Sequence, residues 1–149
     1  MCERCSSATE LDTHTSTLKC QENGVVSPCH GNIITTSPDD MTANWACEIC
    51  KHEISPENVI AIENDLANVL KDSLQTSFDN VEKSIEELSN HLHTNHYIYL
   101  LAKRHLIRMY GLDLQNETTE KIQLRERLCK EVRNLRSHYV LKFVPNEPN

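Results

Sequence analysis

Cysteines are the residues of this 149-residue sequence with the clearest chemistry, and six of the seven lie within the first 50 residues. Two pairs have the spacing C-x-x-C, namely Cys2 with Cys5 and Cys47 with Cys50. A turn of this length directs two sulfurs toward one ion, and structural zinc takes four such ligands in a tetrahedron. The spacing therefore predicts structural zinc, and each pair requires a second pair of ligands.

Two assignments of the zinc ligands agree with the spacing. The first has the pattern C-x8-C-x17-C-x2-C, a zinc-ribbon-like site with one wide and one tight knuckle, and uses Cys20, Cys29, Cys47 and Cys50. The rival assignment combines the two close pairs, Cys2, Cys5, Cys47 and Cys50. His30 could also replace Cys29, since imidazole binds zinc as well.

The thiols are expected to stay reduced. No window approaches the ~18–20 apolar residues of a membrane span, and the start of the chain lacks the basic and then apolar pattern of a signal peptide. We therefore expect an intracellular protein, cytoplasmic, nuclear or both, in which clustered cysteines bind metal rather than form disulfides. The formal net charge of −7 argues against direct nucleic-acid binding.

Enzymatic roles find little support in the sequence. A thiol-redox C-x-x-C accompanies a βαβ pattern, which is missing here. There is no glycine-rich phosphate loop and no nucleophile elbow. The histidines form no catalytic constellation: we expect His96 to pack at a helix start, and His91 and His93 to be solvated. The sequence thus predicts no catalytic residue.

The first 52 residues are rich in Thr, Ser, Asn and Asp, and only "GVV" and "NIITT" predict short strands. Such a polar stretch cannot bury enough apolar surface to hold itself together. We therefore expect thiolate–metal bonds to order it. Trp45 could either cover the metal site or pack on neighbouring helices. Cys129, in a later helical stretch, is interpreted as a small buried apolar residue.

From Ser55 onward the apolar residues recur at steps of three and four, which predicts four helices. Ser55 and Pro56 begin the first helix, Ser77 the second, Asn95 the third and about Thr118 the fourth. Gly111 is predicted to end the third helix in a left-handed cap. The expected apolar faces include Val59, Ile62, Leu66, Val69 and Leu70; Phe78, Val81, Ile85, Leu88 and Leu92; Tyr97, Leu100, Leu101, Ile107 and Tyr110; and Leu124, Leu128, Val132 and Leu135.

The predicted fold is mainly α: a small zinc-held irregular module followed by an antiparallel helical array, either a bundle or stacked pairs of the tetratricopeptide type. The expected division is a cysteine-rich module at 1–52, a helical domain at 53–141 and a tail at 142–149. Residues 117–149 hold seven bases against five acids. This basic helix is either a docking face for an acidic partner or an ordinary solvated surface.

Two segments resemble a known family. "CERCSSATELDTHTSTLKC", Cys29 and "SPDDMTANWACEIC" resemble the region after the catalytic SET domain in SET- and MYND-domain (SMYD) proteins, with the closest likeness to arthropod-type members. "HTNHYIYLLAKRHLIRMYG" resembles the C-terminal helical domain of that family. The resemblance covers about residues 2–112.

The resemblance implies protein-lysine methylation, of histones among other proteins, with S-adenosylmethionine as cofactor of a full-length member. The family's Asn-His-x-Cys-x-Pro-Asn segment, Gly-Glu-Glu turn, active-site tyrosine and MYND zinc module are not in this sequence. Cys2 and Cys5 match the last two thiols of the family's post-SET cluster, which a SET-domain cysteine completes. That match leaves the four later cysteines of the first 50 residues for a second zinc ion.

We therefore expect the C-terminal portion of a SET/MYND-type lysine methyltransferase. Without the catalytic core, it would be a zinc-stabilised helical module that binds a partner or substrate protein, and no membrane. The alternative is an independent zinc-dependent adaptor whose helices form a groove for peptides.

Overall fold

The computed structural model describes residues 3–21, 29–75, 77–112 and 118–143, with no side chain described at 78 or 135–143. Within these ranges the strands are β1 Leu18–Lys19, β2 Asn32–Thr35, β3 Trp45–Cys47 and β4 Glu53–Ile54. The helices are α1 Pro56–Ser73, α2 Phe78–His91, α3 Tyr97–Leu112 and α4 Thr119–Phe143. The four predicted helices agree with this architecture, whereas the cysteine-bearing part, predicted to be irregular, contains a small antiparallel sheet. Whether the helices stack as repeats stays a prediction.

The four strands form one antiparallel sheet in the order β1-β2-β3-β4. Leu18 pairs with Ile33, which in turn pairs with Cys47, so that these three side chains form one cross-strand row on a single face. All three are buried. The strand predicted at "NIITT" is confirmed as β2, and "GVV" lies outside the described residues.

Helix α1 begins as its sequence predicts. The Ser55 side chain accepts a hydrogen bond from the Asn58 backbone N–H at 3.3 Å, and Pro56 fills the first helical position. The buried face carries Val59, Leu66 and Leu70.

The prediction for Ile62 is wrong, since this side chain is 37% exposed. At about 100° per residue, Leu66 and Leu70 lie within about 20° of Val59 around the helix, whereas Ile62 lies about 60° away. The side chain of Ile62 is therefore at the edge of the buried stripe of α1.

Helix α2 follows its predicted pattern. Val81, Leu88 and Leu92 are fully buried, whereas the glutamates and the lysine between them are exposed. Leu92, just past the helix, forms an isolated bridge with Leu18 of β1. This contact ties the end of α2 to the edge of the sheet.

Two side chains from the first strand region also bind the last turn of α2. The Lys19 ammonium donates to the Ser89 carbonyl at 2.5 Å, and the Gln21 amide donates to the Asn90 carbonyl at 2.7 Å. The last carbonyls of a helix have no partner within the helix, and a cation is favoured at that end. The sheet therefore completes the hydrogen bonding of α2.

Helix α3 differs from its prediction in two respects, namely its buried face and its C-terminal end. Tyr97 and Leu101 are 45% and 53% exposed, and the buried face instead carries Ile98, Ala102 and Leu106. Gly111 lies inside the helix without a positive φ, so the predicted left-handed cap is wrong. A Cβ at residue 111 would meet nothing within 4 Å, and no close approach requires glycine there.

The core joins the sheet to the helices. Its larger cluster contains the cross-strand row of the sheet together with buried residues of α1, α2 and α3. A smaller cluster, formed by Val81, Leu106, Tyr110 and Leu128, packs α4 against α2 and α3. The N-terminal part is therefore held by apolar contacts with the helices as well as by any metal.

A buried lysine links α3 to α4. The Lys103 ammonium donates to the Glu131 carboxylate at 2.7 Å and lies 4.3 Å from the centre of the Tyr99 ring. The ion pair and the cation–π contact together compensate for removing this charge from water.

His96 caps α3 and connects it to α1. Its Nδ1 accepts a hydrogen bond from the Ile98 N–H at 3.2 Å, so the ring proton lies on Nε2, which donates to the Glu63 carboxylate at 3.1 Å. The side chain is fully buried, which confirms the prediction that His96 packs at a helix start.

Among the described residues, no helix is both long and apolar enough to cross a membrane.

The first prediction concerns this cap. His96→Ala should lower the free energy of unfolding by about 1–3 kcal/mol, because it removes an N-cap and takes one hydrogen-bond donor from the Glu63 carboxylate, which keeps the Tyr97 hydroxyl as a donor. Chemical denaturation followed by circular dichroism measures the change. Glu63→Gln keeps an acceptor for Nε2–H and should cost less than about 1 kcal/mol. A loss below about 0.5 kcal/mol for His96→Ala would contradict the role of the cap.

Candidate metal centre

Four thiols converge at the edge of the sheet where β1 and β3 both end, on either side of β2. The sulfur atoms of Cys20, Cys29, Cys47 and Cys50 all lie within 4.8 Å of one another. The Cys20 and Cys50 sulfurs are 3.6 Å apart, and so are those of Cys29 and Cys47. Four sulfurs at about 2.3 Å from a central zinc ion would lie about 3.8 Å from each other. The cluster therefore fits a tetrahedral metal ion.

The sheet itself positions the ligating side chains. Cys20 follows β1 directly and donates its backbone N–H to the Gly31 carbonyl at 2.9 Å. Cys47 is the last residue of β3, and its N–H donates to the His52 carbonyl at 2.9 Å. Antiparallel pairing thus brings segments that are distant in sequence to one end of the sheet.

The tight knuckle occupies the turn between β3 and β4. Lys51 donates its N–H to the Cys47 carbonyl at 3.1 Å, and its φ of 62° is left-handed. Its ammonium donates to the Glu48 carbonyl at 2.9 Å. A left-handed residue reverses the chain directly after Cys50, at some conformational cost for a residue with a Cβ. This turn holds both thiols of the C-x-x-C pair on one side.

Gly31 leaves the space that the cluster occupies. A Cβ at this position would overlap the Cys47 sulfur and lie 3.2 Å from the Cβ of Ile49. Any side chain larger than hydrogen would displace the sulfur or the knuckle backbone. Sequence reasoning missed this residue, although its place two residues after Cys29 in a chain with three glycines was a usable signal.

One side of the cluster faces the core and the other faces solvent. Cys47 is 1% exposed and Cys20 is also buried, whereas Cys29 is partly covered and Cys50 is exposed. Trp45 pairs with Thr35 and Ile54 in the sheet and packs against the same core. That core contains two cysteines of the cluster and buried helix residues, so covering the metal site and packing on the helices both stay predictions for Trp45.

Hydrogen bonds prepare one thiol for ionisation. Burial alone would raise the pKa of Cys47. Hydrogen bonds to its sulfur outweigh burial and lower the pKa to about 7. The donors are the backbone N–H groups of Cys50 and Ile49 and the thiols of Cys50 and Cys29. At Cys50, a hydrogen bond from the His52 backbone lowers the pKa, yet desolvation and the sulfur of Cys47 outweigh it and leave the pKa raised. The buried thiol of the knuckle is thus the first to become a thiolate, the form that binds metal.

The structure brings together the four cysteines of the first assignment. Cys5 is exposed and does not belong to this group, and His30 is likewise exposed outside it. Cys2 lies outside the described residues, so the rival set and the post-SET half-site stay predictions. The identity of the four ligands also stays a prediction, supported by their proximity.

The histidines form a separate group without a metal-type arrangement. The rings of His14 and His93 lie 4.6 Å apart, and the Asn95 N–H donates to Nδ1 of His93 at 3.2 Å. Burial first, and then the charges of His14 and Lys19, lower the pKa of His93 to about 4. His93 is thus half-buried rather than fully solvated, and His91 is partly covered as well. Among the described residues, only the cysteine cluster groups three or more suitable ligand atoms.

Comparison with known proteins gives one distant similarity to report. The chain is 28% identical over 135 residues to the SET domain-containing protein SmydA-8, isoform B, of Drosophila melanogaster. The match covers 88% of this chain but 29% of that protein. The chain thus spans less than a third of the length of this curated relative. No protein-family model matches the chain, and no solved structure does either. These findings support a distant link to SET-domain proteins.

The second prediction tests the space at Gly31. Gly31→Ala should weaken zinc binding by about tenfold or more, because the new methyl group displaces the Cys47 sulfur. Competition with a chromophoric chelator measures the affinity. The matched control is Gly111→Ala, where the methyl group meets nothing within 4 Å; it should leave zinc affinity unchanged and add up to about 1 kcal/mol of stability. Equal zinc affinities for the two variants would contradict the assigned role of Gly31.

The third prediction concerns pH. In the metal-free chain, Cys47 should titrate near its pKa of about 7 rather than at the ordinary value of 9.0. Because zinc binds the thiolate, protons compete with zinc for the Cys47 sulfur only below about pH 7. The contribution of Cys47 to zinc affinity is therefore lost as the pH falls through that value. The Cβ chemical shift of Cys47, followed by NMR over a pH series, measures the midpoint. Cys50 should titrate above Cys47, and the reverse order would refute the assignment.

Proposed function

We propose that this chain is a zinc-stabilised helical module from the C-terminal part of a SET/MYND-type protein-lysine methyltransferase, where it binds a partner or substrate protein. The observation that carries the proposal is the convergence of four thiols within 4.8 Å at the junction of sheet and helices. The proposal has two parts, the metal and the family, and each has its own support.

The donor set favours structural zinc. Four sulfur ligands in a tetrahedron are typical of zinc or an iron–sulfur cluster, and the separations of 3.6 Å agree with a single ion. A catalytic zinc keeps one position for water or substrate, whereas four cysteine ligands leave none. The ion would therefore link the ends of β1 and β3 and the segment at Cys29, and take no part in a reaction.

The family assignment rests on the extent of the distant similarity. The match to a protein named for its SET domain covers 88% of this chain. The match covers 29% of that longer protein, so lysine methylation with S-adenosylmethionine is proposed for a full-length protein. This chain, which lacks the family's catalytic motifs, would contribute binding and stability.

The second candidate is an independent zinc-dependent adaptor, and the continuous core favours it. The sheet shares one apolar cluster with α1, α2 and α3, so these elements can support each other without a further domain. Both candidates require the metal and a protein partner. They differ in whether a methyltransferase carries the module.

The fourth prediction tests the metal and the absence of cofactor binding. The chain should contain about one zinc ion, because four thiolates serve one tetrahedral ion. Cys20→Ser should lower zinc affinity by at least about 100-fold, since losing a direct ligand costs more than losing a supporting contact. Mass spectrometry under native conditions gives the stoichiometry, and chelator competition gives the affinity.

Cys5→Ser and Cys129→Ser are the matched controls, since both residues lie outside the cluster. Both variants should keep the bound zinc. Titration calorimetry with S-adenosylmethionine should detect no heat of binding. A metal-free chain at neutral pH, or tight binding of S-adenosylmethionine to this chain, would overturn the corresponding part of the proposal.

A further inference from the structure

An open groove of about 610 Å³ lies between α3 and α4. Its lining consists of three arginines and three residues with less polar side chains: Arg104, Arg108 and Arg133, with Ile107, Cys129 and Val132. We propose that this arginine groove binds an acidic segment of a partner protein, with an apolar side chain of that segment on the groove floor. The inference rests on the proposed function, because it names the partner chemistry of the module.

The helical spacing places the three arginines on the two walls of the groove. Arg104 and Arg108 are four residues apart on α3, and Arg133 follows Cys129 by four residues on α4. Residues four apart lie on the same side of a helix, one turn from each other. Two cations on one wall therefore face one on the other, and all three side chains are exposed.

No carboxylate within the described part of the chain forms an ion pair with any of the three arginines. Glu131, two residues before Arg133 in the sequence of α4, is already bound to Lys103 at 2.7 Å. Like charges held close together repel each other, and a bound anion relieves that repulsion. Three guanidinium groups with no ion pair to any described carboxylate are notable in a chain whose formal net charge is −7.

The chemistry of the groove favours a peptide with carboxylates. Guanidinium groups bind carboxylates in a planar, two-pronged arrangement that lysine cannot reproduce. Between the arginines, the partly buried Ile107 and Val132 offer an apolar surface. A segment with two or three acidic residues around one leucine or phenylalanine matches both features. A nucleic-acid strand would use the charges but not this apolar floor.

The fifth prediction is that the zinc-loaded chain binds a fluorescein-labelled acidic peptide, Glu-Glu-Leu-Asp-Glu, in a saturable way. Fluorescence anisotropy measures the affinity. The isosteric peptide Gln-Gln-Leu-Asn-Gln and a single-stranded oligonucleotide should bind at least about tenfold more weakly, since only the acidic peptide satisfies both the charges and the floor. Equal binding of the two peptides, or tighter binding of the oligonucleotide, would overturn the inference.

A charge-matched pair of variants locates the site. The double variant Arg104→Glu, Arg108→Glu should weaken binding of the acidic peptide by at least about tenfold. The control double variant Lys71→Glu, Lys83→Glu makes the same change in net charge at exposed positions of α1 and α2. It should weaken binding of the acidic peptide by less than about twofold. Equal losses in both double variants would show that net charge alone attracts the peptide.

Cys129 reports occupancy without any substitution. Saturating acidic peptide should slow alkylation of Cys129 in the groove and leave exposed Cys5 unaffected, as measured by mass spectrometry of proteolytic fragments. An unchanged rate at Cys129 would place the peptide elsewhere. Zinc content, measured on the same sample, separates the two proposals: a chain that keeps its zinc but binds no peptide contradicts the groove alone, and a chain without zinc contradicts the proposed metal centre.

Discussion

The convergence of four sulfur atoms constrains the whole N-terminal half of the molecule. The four cysteines come from three segments of the chain. One of these cysteines, Cys47, also ends the cross-strand row that begins with Leu18 and Ile33. The same side chain thus belongs to the candidate metal centre and to the apolar core. The glycine at 31 and the left-handed Lys51 follow from this constraint, because one leaves room for the sulfur and the other reverses the knuckle.

Polar contacts at helix ends extend this arrangement into the helical layer. The last carbonyls of α2 accept hydrogen bonds from Lys19 and Gln21, and the first turn of α3 is capped by His96, which also binds α1 through Glu63. Helix ends carry backbone groups that the helix cannot satisfy. Here those groups make the connections between sheet and helices, which also share one apolar cluster.

Local features of the fold were predictable from the sequence, and features that depend on neighbours were not. The Ser55 cap and the buried stripe of α2 depend on residues within one helix. The exposure of Ile62 and Leu101 depends on where other elements lie, which periodicity does not contain. Strands of two to four residues are too short for alternation to be visible. The cysteine types and the tight spacing predicted the chemistry, whereas the wide knuckle required the pairing of β1 with β2.

The contacts between the first strand and the end of α2 have a consequence for how the protein forms. Lys19 and Ser89 are 70 residues apart in sequence, and Gln21 and Asn90 are 69 apart. On the ribosome, all four thiols of the cluster emerge before the second helix that supports them. Binding of an ion at the proposed metal centre can therefore precede tertiary assembly. Without an ion, the growing chain would carry uncovered thiols while some forty further residues are synthesised, roughly 2–8 s at about 5–20 residues per second.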